Sequence, residues 1–442
     1  MAASPRRRER KRLQPGNRPA PSCERKQRIA AGPASIRRHF LASSPQRFAR
    51  RGRGVLAAES GPRDGPAGSG RLLLLYAALY GGYGALSPFL PAFLETRGLG
   101  PSEIGTLLSA GMLVRLAAGP LAGRFADRSG AVRAFLAVGL ALSAALTLAF
   151  LGGQGFVVLL AVALAQAAAT APLAPLADTV ALAGSRDGAV YGRVRAAGSA
   201  AFIATTVLTG HLVGVFGHGV GPLACGLLFA AGAALTRRLP SAPASANPAG
   251  DAGGGFASLA ADARFRRLLL AAALVIGAHA MHDAFAVIVW QAAGIAPRVA
   301  GLLWAEAVAA EVAVFLWLGP RLIARFGPER ALVLAALAGA LRWAVQAQTS
   351  WLPVLVGIQA LHGLTFALLH LACLQFIVAI VPEHRRATAL TVYGTFGLGL
   401  ASALMTLLCG LLYERFGTTG FWVMTAASLA AVPVARGLPR IR

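Results

Sequence analysis

Apolar residues run along this chain in long uninterrupted stretches, separated by short segments that carry arginine. Windows of about 20 apolar residues, the length an α-helix needs to cross the roughly 30 Å hydrocarbon core of a bilayer, recur at 72–94, 102–122, 132–151, 155–180, 193–215, 219–236, 268–290, 299–319, 330–347, 352–378, 388–412 and 417–436. The pattern predicts an all-α integral membrane protein with twelve transmembrane helices. Gly and Pro are frequent inside the windows, as in GGYGALSPFLP and TAPLAPLADT. In water they would break helices; in a membrane bundle neighbouring helices satisfy the freed backbone, and such bends suit helices that move.

The loops supply an independent test, because loops retained on the cytoplasmic side are rich in Lys and Arg. Alternate loops carry Arg124, Arg128 and Arg133; Arg186, Arg193 and Arg195; Arg237, Arg238, Arg264, Arg266 and Arg267; Arg321, Arg325 and Arg330; Arg385 and Arg386; and Arg436, Arg440 and Arg442. The intervening loops hold only Arg97, Arg298 and Arg415. Nineteen arginines against three predict both termini in the cytoplasm, as for a multi-pass protein of the inner membrane. The longest internal loop, 237–267, is rich in Pro, Ala, Gly and Ser and separates six windows from six. It reads as a cytoplasmic linker between a half at 72–236 and a half at 268–436, with 437–442 as a tail.

Charge changes the picture at the N-terminus. Residues 1–71 hold 18 Lys and Arg against four acids and so supply +14 of the net +25. They read as a disordered basic leader that faces anionic lipid, where each basic residue contributes about 1 kcal/mol, rather than as a nucleic-acid arm. The leader lacks the apolar core of a secretory signal; its Arg-rich composition resembles a transit peptide, and an over-extended start accounts for it equally well. Over the whole chain only 13% of residues are charged, against about 25% in soluble proteins. Both lysines, Lys11 and Lys26, lie in the leader. No Gly-x-x-x-x-Gly-Lys phosphate loop therefore exists, which argues against ATP-driven pumping. No HExxH, GxSxG or metal-spaced His/Cys cluster occurs, so no cofactor, metal or enzyme activity is expected. Cys23, Cys225, Cys373 and Cys409 form no CxxC pair and read as free thiols.

After the second window comes Gly123-Arg-Phe-Ala-Asp127-Arg128-Ser-Gly130-Ala-Val-Arg133. Gly123 would permit close helix approach, Gly130 a tight turn, and Asp127 a helix N-terminal cap. This stretch resembles the Gly-x-x-x-Asp-Arg-x-Gly signature of the major facilitator superfamily and sits on the arginine-rich side, where that family has it. A degraded echo, Arg321-Leu-Ile-Ala324-Arg325-Phe-Gly327, follows six windows later, with Ala324 where Asp127 falls. Further segments are Tyr191-Gly-Arg193-Val-Arg195 with Gly198-Ser199, Gly277-Ala-His279, Trp290-Gln291, Leu303-Trp304 through Glu311, Arg342-Trp343, and Leu361-His362-Gly-Leu-Thr365-Phe366 with His370. Together they resemble the phenylpropionate permease branch of the superfamily. Over 72–436 the resemblance implies a major facilitator fold with a central cavity, and proton-coupled uptake of aromatic carboxylates. The chain departs from that branch in carrying His282 and Asp283 where it has a Tyr pair, and Glu306 where it has an apolar residue.

The residues themselves give a compatible account. Arg115, Asp283, Glu306, Glu311 and Arg342 lie inside apolar windows, where each ionised group costs about 3 kcal/mol. They must pair, protonate or line a wet cavity. Arg115 and Arg342, one from each half, suit a clamp on a substrate carboxylate. His279, His282 and Asp283 fall at i, i+3 and i+4, and Gln359, His362, Phe366 and His370 at steps of three, four and four, each set on one side of a helix. Trp290, Trp304 and Phe366 offer apolar surface to a ring. Glu311 is the proton-site candidate, because burial disfavours the charged form of a carboxyl, with Glu306, His279 and His362 as assistants. Asp178 reads as a structural partner of Arg193 or Arg195. The expected function is proton-coupled import of a small aromatic carboxylate by a monomer. A drug/proton antiporter, a nucleoside or oligosaccharide symporter and, more remotely, an intramembrane enzyme are the alternatives.

Overall fold

The computed structural model describes residues 66–183, 188–239 and 259–440. Most of the basic leader, most of the 237–267 linker, Arg186 and the end of the tail lie outside the described residues. Every regular element among them is helical. The first set comprises α1 (Pro66–Leu86), α2 (Leu90–Thr96), α3 (Pro101–Ser129), α4 (Val132–Ala149), α5 (Phe156–Thr170), α6 (Leu173–Ala183), α7 (Gly188–Phe216) and α8 (Val220–Thr236). The second comprises α9 (Ala263–Gly277), α10 (Ala280–Ala292), α11 (Pro297–Ala313), α12 (Gly319–Phe326), α13 (Pro328–Gln346), α14 (Leu352–Ala360), α15 (Leu369–Ile380), α16 (Arg386–Val392), α17 (Ala401–Phe416) and α18 (Phe421–Arg436). The first helix starts at Pro66, upstream of the boundary placed at Arg71.

Each apolar window falls on helix, with breaks where the sequence has Gly and Pro. Between α1 and α2 the chain bends by 46° around Ser87-Pro88-Phe89. The His279 segment interrupts α9 and α10. Three stretches relax into π-helix, at Val314–Leu318, Gly363–Leu368 and Tyr393–Leu400. By length and composition, eight described helices, or nine with the bent pair taken as one, can cross a membrane.

Without a hydrophobic force between helices in lipid, association rests on close packing, and small residues permit it. Within the first set α1 packs on α7 and α8, and α4 on α8; within the second α13 and α9 pack on α18, and α10 on α17. The sets meet chiefly along two seams, α3 with α17 and α7 with α11. Both seams rest on facing glycines. A Cβ added to Gly105 would lie 2.7 Å from the Gly410 Cα, and one added to Gly210 would lie 2.8 Å from the Pro297 carbonyl oxygen and 3.1 Å from the Gly301 Cα. These contacts, with the His218–Gln291 hydrogen bond of 3.1 Å, fall at the arginine-poor end of the bundle. At the opposite end Arg71 and Arg133 donate to the carbonyls of Arg238 and Leu239, and Arg267 to that of Gly437. Those ties stay within each set.

The signature loop corrects two expectations. Gly130 takes φ +63° and closes α3 in a left-handed turn, as a tight turn requires. A Cβ on Gly123, however, would meet nothing within 4 Å, so this glycine makes no close approach. Asp127 lies exposed in the last turn of α3 and caps no helix N-terminus; α4 begins at Val132, and Ala131 in its N-cap position provides no side-chain cap. The physical reason is local: from Ala117 to Gly130 only Ala126 is buried, so this end of α3 is largely open around Gly123 and Asp127. Asp262 does cap, accepting from the Arg264 N–H at 2.8 Å and from its guanidinium at 2.9 Å. The Arg264 side chain holds this carboxyl below its ordinary range, so the cap is in force at neutral pH and is lost as pH falls through the folded-state pKa.

The seams give a stability prediction. Gly105→Ala forces backbone apart and costs about 1–3 kcal/mol, lowering the melting temperature of detergent-purified protein. Gly357→Ala, where a Cβ meets open space, leaves it unchanged or raises it.

Candidate functional site

Between the two sets, beyond the glycine seams, lies a cavity of about 610 Å³, within the usual range of a small-molecule site. Its first-set wall carries Tyr83, Arg115, Phe150 and Gln166; its second-set wall carries His279, His282, Asp283, Trp304, His362 and Phe366. Seven of the residues singled out in the sequence therefore share one space. Arg115 and Asp283 are exposed to it, Asp283 with 51% of its side chain accessible. Among the described residues no hydrogen bond or ion pair engages the Arg115 guanidinium, although Tyr83 lies within electrostatic reach.

Arg342 corrects the clamp expectation. It is wholly buried and stands behind the cavity wall. Its guanidinium donates to Gln359 Oε1 at 2.6 Å, His362 Nδ1 at 2.9 Å and His282 Nε2 at 3.3 Å, and lies 4.6 Å from the Trp343 ring centroid. The side chain turns toward Gln359 and His362 at the end of α14 and toward His282 on α10, and so is enclosed by protein rather than open to the void.

The consequence is electronic. Arginine offers only donors, so His362 Nδ1 and His282 Nε2 must accept, and each ring carries its proton on the other nitrogen. For His362 that N–H lies 3.6 Å from Glu311 Oε2. For His282 it lies 3.3 Å from Asp283 Oδ1. One buried cation thus orients two neutral histidines, each toward a different carboxylate. His279 is constrained otherwise: Nδ1–H donates to the Val275 carbonyl at 2.9 Å, and Nε2 meets Thr365 Oγ1 at 2.9 Å. The Thr365 hydroxyl also reaches the His362 carbonyl at 3.2 Å. Neutral His279 accepts from Thr365; protonated His279 donates to it, and Thr365 turns to that carbonyl. Both protonation states are satisfied.

The remaining candidates disperse. Trp290 is buried against the edge of His282, and Trp304 stacks on its face at 5.0 Å. The π-helix at Gly363–Leu368 breaks the regular step along the Gln359–His370 stripe, and His370 leaves the cavity to meet the Tyr393 hydroxyl at 3.1 Å. Glu306 is half-buried on α11, away from the cavity lining and, among the described residues, without a hydrogen-bond partner. Asp178 accepts from the Tyr76 hydroxyl and lies 3.4 Å from Arg195, which donates to the Tyr80 hydroxyl at 2.6 Å. Thr365, Trp343 and Gln166 were given no role from sequence. Gln166, a lone amide in an apolar window, and the Tyr76/Tyr80/Tyr83 stripe were the available signals. Cys225, Cys373 and Cys409 are buried and free.

A helical membrane bundle with a largely apolar cavity between two helix sets, set with a few charged and imidazole side chains, is the architecture of a carrier. The chain belongs to the MFS_1 like family, whose model matches residues 70–424; it is a multi-pass membrane transporter of the major facilitator superfamily and not an enzyme. It is 34% identical over 373 residues to the probable 3-phenylpropionic acid transporter of Escherichia coli (strain K12), covering 82% of this chain and 95% of that protein. It is 31% identical over 348 residues to the maltose permease of Geobacillus stearothermophilus, covering 78% and 87%. The fold is similar to that of the nucleoside transporter NupG, with a TM-score of 0.72 at 18% identity over 83% of this chain and 97% of that one.

The two arginines separate by experiment. Arg342→Ala leaves Gln359, His282 and His362 without their donor and costs about 1–3 kcal/mol for each buried group left unsatisfied, seen as a fall in melting temperature. Arg115→Ala breaks no internal hydrogen bond and leaves that temperature near its native value.

Proposed function

We propose that this transporter imports a small aromatic carboxylate together with protons, by alternating access. The observation that carries the reading is Arg115, a cation exposed in the cavity that forms no ion pair within 4 Å among the described residues. A charge so placed in a low-dielectric setting favours an anionic substrate. Trp304 and Phe366 on the facing wall suit an aromatic ring, and the Escherichia coli relative is named for 3-phenylpropionic acid. Glu311 takes the transported proton, with His362 pointing at it and Arg342 holding His362 in place. His279, satisfied in either protonation state, serves the same path. Arg342 acts as a positioning residue, not as the clamp.

The reading includes twelve crossings in two six-helix halves. The count follows when Glu383–Arg436, 54 residues long, is divided at Gly417–Gly420, and when Val220–Thr236 and Pro328–Gln346 are each taken as a crossing. The halves rock about the cavity, with the glycine seams closed toward the periplasm. The chain sits in the inner membrane with both termini cytoplasmic and works as a monomer. The maltose permease relative makes an oligosaccharide the competing substrate, and the unpaired Arg115 weighs against it.

Uptake of labelled 3-phenylpropionate into proteoliposomes under an imposed pH gradient tests the proposal. Accumulation is expected, and Glu311→Gln is expected to abolish gradient-driven accumulation while exchange down a substrate gradient persists. Arg115→Ala is expected to weaken the substrate by roughly ten- to a hundredfold, as loss of a charge-assisted hydrogen bond requires. Undiminished accumulation by Glu311→Gln defeats the proton role.

A further inference from the structure

Arg115 has a counterpart that a plain phenyl ring leaves unused. Asp283 projects from α10 on the second-set wall into the same cavity that Arg115 enters from α3 on the first. The two are not paired with each other: no ion pair within 4 Å joins them among the described residues. Among the described residues only Asp283 Oδ1 is engaged, by His282 at 3.3 Å, and half of the side chain remains accessible to the void. Trp304, Phe366 and Phe150 line the space as well. The cavity therefore has a cationic wall, an anionic wall and aromatic surface.

A ligand that filled this space with a carboxylate and a bare hydrocarbon ring would satisfy Arg115 and bury the free face of Asp283 against carbon. A buried acceptor left without a donor is penalised, and a site built to receive a hydrogen bond discriminates strongly against analogues that lack the donor. Resting on the aromatic-carboxylate reading, we infer that the preferred substrates are bipolar: an aromatic acid whose carboxylate pairs with Arg115 and whose far end carries a hydrogen-bond donor, such as a phenolic hydroxyl, given to Asp283. Such a ligand also bridges the two helix sets. Neither set completes the site alone, so binding draws the walls together, as a carrier that closes over its cargo needs.

The test is competition against labelled 3-phenylpropionate uptake in proteoliposomes, using 3-(4-hydroxyphenyl)propionate and 3-(4-methylphenyl)propionate. These are close in size and differ in the donor. Native protein is expected to prefer the hydroxyl compound by about tenfold or more, and in Asp283→Ala the ratio is expected to collapse to about one. The ligand-induced rise in melting temperature yields the same ratio for variant protein that binds without turnover. Equal affinity for the two analogues in native protein, or a preference that survives in Asp283→Ala, overturns this inference and leaves the aromatic-carboxylate reading standing. Uptake or binding of neither analogue, nor of 3-phenylpropionate, overturns both.

Discussion

A guanidinium sealed inside a membrane bundle has to be answered by acceptors, because hydrocarbon offers none and water does not reach it. Arg342 is answered by an amide oxygen and two imidazole nitrogens, and much of the site follows from that arrangement. Both histidines are held neutral and aimed, one at Glu311 and one at Asp283. The Arg342 Nε alone lacks a protein partner.

The same economy governs the cavity. Hydrocarbon does not tolerate isolated charges, yet Arg115 and Asp283 stand open on opposite walls. They persist because both open onto an accessible void rather than onto lipid. In the proposed binding mode a cargo that matches them leaves neither charge bare, which would make the pair a source of specificity as well as affinity. Glycine performs the complementary task at the arginine-poor end. There, backbones from the two sets touch across Gly105–Gly410 and Gly210–Gly301, and any larger residue would hold the seams apart.

Much of this was legible in the amino-acid order because it rests on one-dimensional quantities. Helix positions follow from run length against bilayer thickness, and the two-sided character follows from where arginines recur. The polar stripe of His279, His282 and Asp283 follows from helical periodicity. The assignment of Arg342 to a clamp failed for a different reason. Periodicity says which residues share a helix face, not whether that face meets a void or a neighbouring helix. Only the tertiary contacts of Arg342 with Gln359, His362 and His282 decide that. Gly123 and Asp127 teach the same lesson, since their expected contacts need close partners and that end of α3 is largely open around them.

Run length, charge bias and local spacing thus determined that the chain is a helical membrane protein and which few polar residues lie inside its apolar windows, because hydrocarbon penalises every exception individually. Tertiary structure alone decided how those exceptions are divided. Arg115 and Asp283 face the void, Arg342 and Gln359 support the wall behind it, Glu311 is reached through His362, and His370 is carried away by a π-helical turn. Those roles depend on contacts between residues far apart in the chain, and no local pattern records them.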